Sequence, residues 1–237
     1  MNSEKSHKHL ITLMSLLLIC AMAVLSREAA IYTMSKMAAK KNTTVVIDSG
    51  HGGNDPGKTT ADGTLEKDLN LAIALKLQKY LEAADIKVVM TRVSDDGLYD
   101  ASSKNKKVQD MQNRVALMND ENVNLVVSIH QNSYSDPTVK GAQVFYYGTS
   151  TEGSKLAEAL QNRLVTDLAP ANHRKAKSNN SYYLLKKTTR PAVIVECGFL
   201  SNPTEAEKLK SEVYQDALAW SLHMGILEYL NTDKDTK

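Results

Sequence analysis

Cysteine is nearly absent from these 237 residues: Cys20 and Cys197 are the whole complement. Two thiols are too few for a structural zinc knuckle, and if the amino-terminal segment is removed no intramolecular disulfide can form. The chain must therefore rely on its core, which this length allows. A dominant charge is lacking too, since 29 Lys and Arg face 27 Asp and Glu, for a net charge of +2. Aromatic residues are scarce, with two Phe and one Trp, and no long basic stripe is interleaved with them. That argues against a nucleic-acid surface. Internal repeats and low-complexity segments are also missing. Apolar residues at 42% and charged residues at 24% are ordinary for a globular chain and argue against wholesale disorder.

A long hydrophobic run is missing as well. Leu10 to Leu25 is uncharged and apolar, with Lys5, His7, Lys8 and His9 before it and Arg27 after it. At about 16 residues it sits at or just below the length that a membrane-spanning helix needs. A basic region followed by a short apolar one describes an export segment. Two versions stay open, a secretory signal cut near Ala21-Met22-Ala23 and an uncleaved membrane anchor. Either leaves the rest of the chain outside the cytoplasm, secreted or held at the membrane. Ile19 is too large for a good lipoprotein signal at Cys20. The expected organisation is residues 1–26 as signal or anchor, 27–42 as linker, 43–231 as the catalytic domain and 232–237 as a polar tail.

What is present is alternation. Val45–Asp48, Ile86–Met90, Leu125–Ile129, Ala142–Tyr147 and Ala192–Val195 read as strands. Between them, Leu69, Ile73, Leu77 and Leu81 keep a helical period, as do Val108, Met111, Val115 and Met118, and then Leu156, Leu160 and Leu164. Ser94 to Lys107 reads as a long polar loop. Asn202-Pro203 starts another helix with proline in its first turn, and Val213–Leu230 is a last amphipathic one. The pattern predicts a single α/β domain, a mainly parallel (mixed) twisted sheet with helices on both faces.

The polar residues at the ends of these runs carry the chemistry. Two runs end in His51 and His130, and a third ends in Glu196. Open α/β sheets do their chemistry beyond the carboxyl ends of their strands, so two imidazoles and a carboxylate aim at one crevice. Glu66 opens the helical stretch after the first strand. Read singly, each has a plainer explanation: a structural histidine, a helix N-terminal carboxylate at Glu66, a buried ion pair at Glu196. Together they describe a zinc hydrolase, with three ligands and one general base. The glycines around His51 let a metal or substrate approach closely. Asp48, Ser49 and Asn132 are candidates to orient the ligands. His173 and Arg174 read as surface residues, and His223 as a packing or surface residue.

Three segments in this order make a resemblance specific: Val46-Ile-Asp-Ser-Gly-His-Gly-Gly53, Ser128-Ile-His-Gln-Asn132 and Val195-Glu-Cys-Gly-Phe-Leu-Ser-Asn202. Nearly the whole domain resembles the zinc-dependent N-acetylmuramoyl-L-alanine amidases of the type 3 family. Within that family it is most similar to the sporulation-type cortex amidases, through the Gly97-Leu-Tyr99 and Lys104–Lys107 loop and Gly141–Tyr147. The resemblance implies that His51, Glu66 and His130 hold Zn2+ and that Glu196 is the catalytic carboxylate. It implies a peptidoglycan substrate, the amide between N-acetylmuramic acid and L-alanine, cleaved in spore cortex on the way to muramic-δ-lactam. It also brings an activating lipoprotein into the expected partners. Ser49 stands where a proline is common, Cys197 where an aliphatic residue is usual, and His173-Arg174-Lys175 where Asn-Arg-Gly is more frequent. Three alternatives remain at this point: a vegetative autolysin of the same chemistry, a non-catalytic peptidoglycan-binding module, and a cysteine amidohydrolase pairing Cys197 with His51 or His130.

Overall fold

The computed structural model describes residues 11–20, 22 and 43–232. The basic cluster Lys5–His9, most of the cleavage site, the linker of residues 27–42 and nearly all of the polar tail lie outside the described residues. Residues 11–20 and 22 are helical, with their apolar side chains exposed. Among the described residues, no helix is long and apolar enough to cross a membrane.

Residues 43–232 build a six-stranded sheet in the order β2-β1-β3-β6-β4-β5. Its strands are β1 (Thr44–Ser49), β2 (Lys87–Met90), β3 (Leu125–Asn132), β4 (Gln143–Tyr146), β5 (Lys177–Ser178) and β6 (Ala192–Phe199). Pairings β2-β1, β1-β3 and β3-β6 are parallel, while β4 runs antiparallel to β6. The helices are α1 (Glu66–Ala83), α2 (Lys106–Met118), α3 (Thr151–Arg163), α4 (Tyr183–Lys187), α5 (Pro203–Lys210) and α6 (Glu212–Thr232). The expected single α/β domain with a mixed, mainly parallel sheet is what forms.

The central strands are apolar on both faces because helices cover both. Val46, Val126 and Ile194 pack with Met118 of α2 and with Leu184 and Leu185 of α4. Alternate residues Val45, Ile47, Val127 and Val195 are fully buried, and α1 and α3 contact the sheet there. Each such side chain contributes about 1.5–3 kcal/mol on burial. The last helix was expected to be amphipathic. Instead α6 is buried around most of its circumference, at Ser221, Leu222, Ala219, His223 and Leu227 among others, because it packs against both α1 and α3. Gly225 permits that contact: a Cβ there would stand 2.7 Å from Leu160 Cδ2 on α3.

The chain leaves β1 toward β2, then crosses back to place β3 on the other side of β1. This reversal puts a crevice beyond the carboxyl ends of β1 and β3. Two strands are longer than their apolar runs suggest. β3 continues through His130 to Asn132 and β6 through Glu196 to Phe199, with an irregular register between His130 and Asn132.

Candidate metal centre

β1 ends at Ser49, and Gly50 hands the chain to His51, which adopts φ 63°. A histidine in this left-handed region is uncommon and has to be held there. Two buried guanidinium groups hold it. Arg92 donates from Nε to the carbonyls of Ser49 (3.0 Å) and His51 (2.9 Å), and from Nη2 to Gly50 (3.1 Å) and Lys67 (2.7 Å). Arg114 on α2 donates to the same carbonyls of Ser49 (2.8 Å) and His51 (2.6 Å). Its charge is balanced by Asp48 at 2.6 Å and Asp110 at 2.6 Å. Burial alone would lower the Arg114 pKa, but Asp48 and Asp110 outweigh it and raise it. Burial likewise favours a neutral Asp48, yet Arg114 and the Ser128 hydroxyl hold its carboxyl below the usual range.

Glu66 is the first residue of α1 and is buried. Its Oε1 lies 3.2 Å from His51 Nε2 and 3.2 Å from His130 Nδ1. The same oxygen accepts from the Gln131 amide at 3.1 Å, and Oε2 accepts from the Lys58 amide at 2.8 Å. Burial works to raise the Glu66 pKa, but the two imidazoles more than reverse it, so the carboxylate stays ionised. His51 is pushed upward by Glu66 and Asp55 against the opposing effect of burial. Ligand atoms from His51, Glu66 and His130 all lie within 4.8 Å of one another, which makes the trio a group able to hold a metal ion.

The surroundings fit such an ion. Two imidazoles and one carboxylate are a donor set that suits zinc and leave a coordination position free. Asp55 Oδ2 sits 3.1 Å from His51 Nδ1, the outer carboxylate that commonly fixes a ligand's ring. Glycines keep the space clear. A Cβ at Gly50 would overlap the His130 imidazole, and one at Gly57 would stand 2.6 Å from Glu66 Oε2 and 2.7 Å from His51 Cδ2.

Glu196 lies beside this trio, since His130 and Glu196 are register partners on β3 and β6. It is 7% exposed. Its Oε1 accepts from the Tyr182 hydroxyl at 3.3 Å, while Oε2 is buried without a hydrogen-bond partner. Burial raises its pKa, Glu66 adds to that, and His130 opposes it.

Other expected residues fall differently. Asp48 hydrogen-bonds Thr91 at 2.9 Å and Ser128 at 2.5 Å, and reaches the turn at His51 through Arg114 and through Thr91, which accepts from the Ser49 amide at 3.2 Å. Ser49 acts through its carbonyl, whereas the Asn132 side chain bonds the adjacent Ser133 amide at 2.8 Å. Cys197 is buried on the face opposite Glu196, beside Val195 and Val193 in the strand's alternation, and burial raises its thiol pKa well above the usual range. That burial leaves the cysteine-nucleophile alternative without an accessible thiolate. His173 is exposed as expected. Arg174 is only half-exposed: it lies 4.9 Å over the Phe199 ring and donates to Gln143 at 3.1 Å. His223 is a packing residue, 1% exposed. Arg92, Arg114, Asp55 and Tyr182 were not singled out from sequence, nor was buried Asn70 on α1, which donates to the Gly50 carbonyl at 3.1 Å. The only trace of Arg114 was an Asp four residues before it on a helix whose neighbouring positions are apolar.

The sheet topology, the His–Glu–His trio and the adjacent buried glutamate are together the kind of site a metal-dependent hydrolase needs. The N-acetylmuramoyl-L-alanine amidase family profile matches residues 45–228, and the chain belongs to that family, as a peptidoglycan amidase. It is 39% identical over 194 residues, 81% of each chain, to the germination-specific N-acetylmuramoyl-L-alanine amidase of Bacillus subtilis (strain 168). Its fold superposes with TM-score 0.78 and 38% identity on the CwlD amidase of Clostridioides difficile, solved in complex with the GerS lipoprotein; 81% of this chain and all of that one are covered. The structure of an N-acetylmuramoyl-L-alanine amidase from Clostridium difficile 630 aligns with TM-score 0.70 and 36% identity, over 84% of this chain and all of that one.

Proposed function

We propose that this enzyme is a zinc-dependent amidase that hydrolyses the bond between the lactyl group of N-acetylmuramic acid and the first L-alanine of the stem peptide. The observation that carries the reading is the convergence of His51, Glu66 and His130 within 4.8 Å, with buried Glu196 on the neighbouring strand. In this reading the trio holds zinc and Glu196 is the catalytic carboxylate. When bound, zinc polarises the amide carbonyl as a Lewis acid and brings the pKa of an adjacent water down to about 7. Glu196 takes the proton from the attacking water and delivers it to the departing amine as the C–N bond breaks. Burial suits it to both halves of that task, because a raised pKa lets one carboxyl act as base and then as acid.

Similarity to a germination-specific amidase supports spore cortex as the site of action, with muramic-δ-lactam formation as the process served. The relative solved with a lipoprotein supports a lipoprotein partner for this chain as well. The apolar segment near residues 10–25 supports export, so that the catalytic domain of residues 43–231 works outside the cytoplasm, free or tethered. Full-length Glu196→Gln should bind zinc like the wild type yet release stem peptide at least about 1,000-fold more slowly, a loss of about 4 kcal/mol of transition-state stabilisation. Metal content and peptide release read by mass spectrometry test this. Turnover within reach of the wild type would remove Glu196 from the role.

A further inference from the structure

We infer that Tyr182 is a positioning residue for Glu196: its hydroxyl tethers Oε1 and leaves Oε2 alone to face the reaction. The inference rests on the assignment of Glu196 given above. The two carboxylate oxygens of Glu196 have unlike surroundings. Oε1 accepts from the Tyr182 hydroxyl at 3.3 Å, whereas Oε2 is buried with no hydrogen-bond partner. Rotation about the last torsion of a glutamate exchanges its oxygens over a broad, two-fold profile. A donor on one of them removes that freedom. The distinction matters to a proton relay, because the oxygen that takes the proton must also be the one placed to give it away.

Tyr182 is braced for the task from two sides. Its backbone amide donates to Asn179 Oδ1 at 3.1 Å, and that same oxygen accepts from the Ser181 amide and hydroxyl, each at 2.8 Å. Its ring stands edge-on to Phe145, with centroids 5.6 Å apart and an interplanar angle of 89°. Phe145 on β4 is the register partner of Ile194, two residues before Glu196 on β6. The ring is therefore anchored to the same piece of sheet as the carboxylate it serves. Burial, followed by the charge of Glu196, pushes the phenol up to about 12, so it keeps near neutral pH the proton that it donates to the carboxylate. Among the described residues, the Tyr182 hydroxyl bonds Glu196 and none of His51, Glu66 or His130, which separates positioning from catalysis.

The test uses the full chain loaded with zinc, muropeptide substrate and Tyr182→Phe, which keeps the ring against Phe145 and loses only the hydroxyl. The expected result is a fall in kcat of about tenfold, equivalent to about 1.4 kcal/mol of barrier. KM and zinc content should stay within about twofold of wild type, since the lost bond acts on the chemical step alone. Glu196→Asp supplies the second background, because its carboxylate is one methylene short of the hydroxyl. There, Tyr182→Phe should add less than about twofold, the non-additivity of groups acting as one unit. An undiminished kcat in Tyr182→Phe overturns the inference, and so does a full loss that persists in the Glu196→Asp background. A rise in KM in place of the fall in kcat overturns it in favour of a substrate contact. If the zinc-loaded wild type releases no stem peptide, the assignment of the bond fails and the inference falls with it.

Discussion

Gly50 occupies the point where β1 hands the chain to His51, and the His130 ring fills the space a side chain would need. Gly50→Ala should therefore displace that imidazole. Zinc affinity is expected to fall by roughly 10–100-fold, the cost typical of disturbing a ligand's surroundings, and kcat by about 100-fold if the ring moves by about 1 Å. Titration of metal-free protein with zinc checks the first; unchanged affinity would show that His130 is not a ligand. At this scale the sequence was informative where residue type and place coincide. His51, His130 and Glu196 close apolar runs, and a glutamate opens the helix between them. Arg114 was not legible, because a basic residue on a helix is solvated unless something buries it. Only the fold brings Asp48, Asp110 and the His51 carbonyl around it. Tyr182 was hidden for a similar reason: it lies in the turn just before α4, and only the packing of that turn over β6 brings its hydroxyl to Glu196.

At the scale of elements, β1, β3 and β6 were legible because fully buried parallel strands are continuous apolar runs. Their true ends were not: polar residues such as His130 and Glu196 read as stops, although pairing carries both strands beyond them. β4 shows its apolar residues but not its direction, which is set by the helix-free loop of residues 133–142 that turns the chain back after β3. β5 consists of Lys177 and Ser178, both exposed, and is held only by pairing with β4. α4 is five residues long with two buried leucines, too short for a helical period. α6 carries a pH-sensitive residue in His223, which packs against Tyr80 and Trp220 and has a buried Nδ1 without a hydrogen-bond partner. Burial lowers its pKa from 6.5 to about 4. As pH falls below 6.5, the unfolded chain takes up this proton before the folded one does. Stability is thus fully present above 6.5 and is lost progressively down to about 4. Between pH 7 and pH 5 the loss from this residue should reach about 1–2 kcal/mol. Urea unfolding at both pH values should show it in the wild type and show it reduced in His223→Gln. Equal pH dependence in the two proteins would contradict the assignment.

The whole molecule places its chemistry where strand order reverses. β1 and β3 part company in the crevice beyond their carboxyl ends, β6 adds Glu196 beside β3, and α1 brings Glu66 back to the same point. None of this requires a cysteine or a net charge, which is why composition excluded so much and specified so little. The spacing of motifs along the chain, rather than any one of them, made the active edge visible. The measurement that tests the account most directly is digestion of peptidoglycan by the purified chain, with zinc supplied or chelated, read by mass spectrometry. The account predicts stem peptides carrying a free L-alanine amino terminus, released with zinc and lost with the chelator. Release undiminished after zinc is stripped, or cleavage at a different bond, would contradict it.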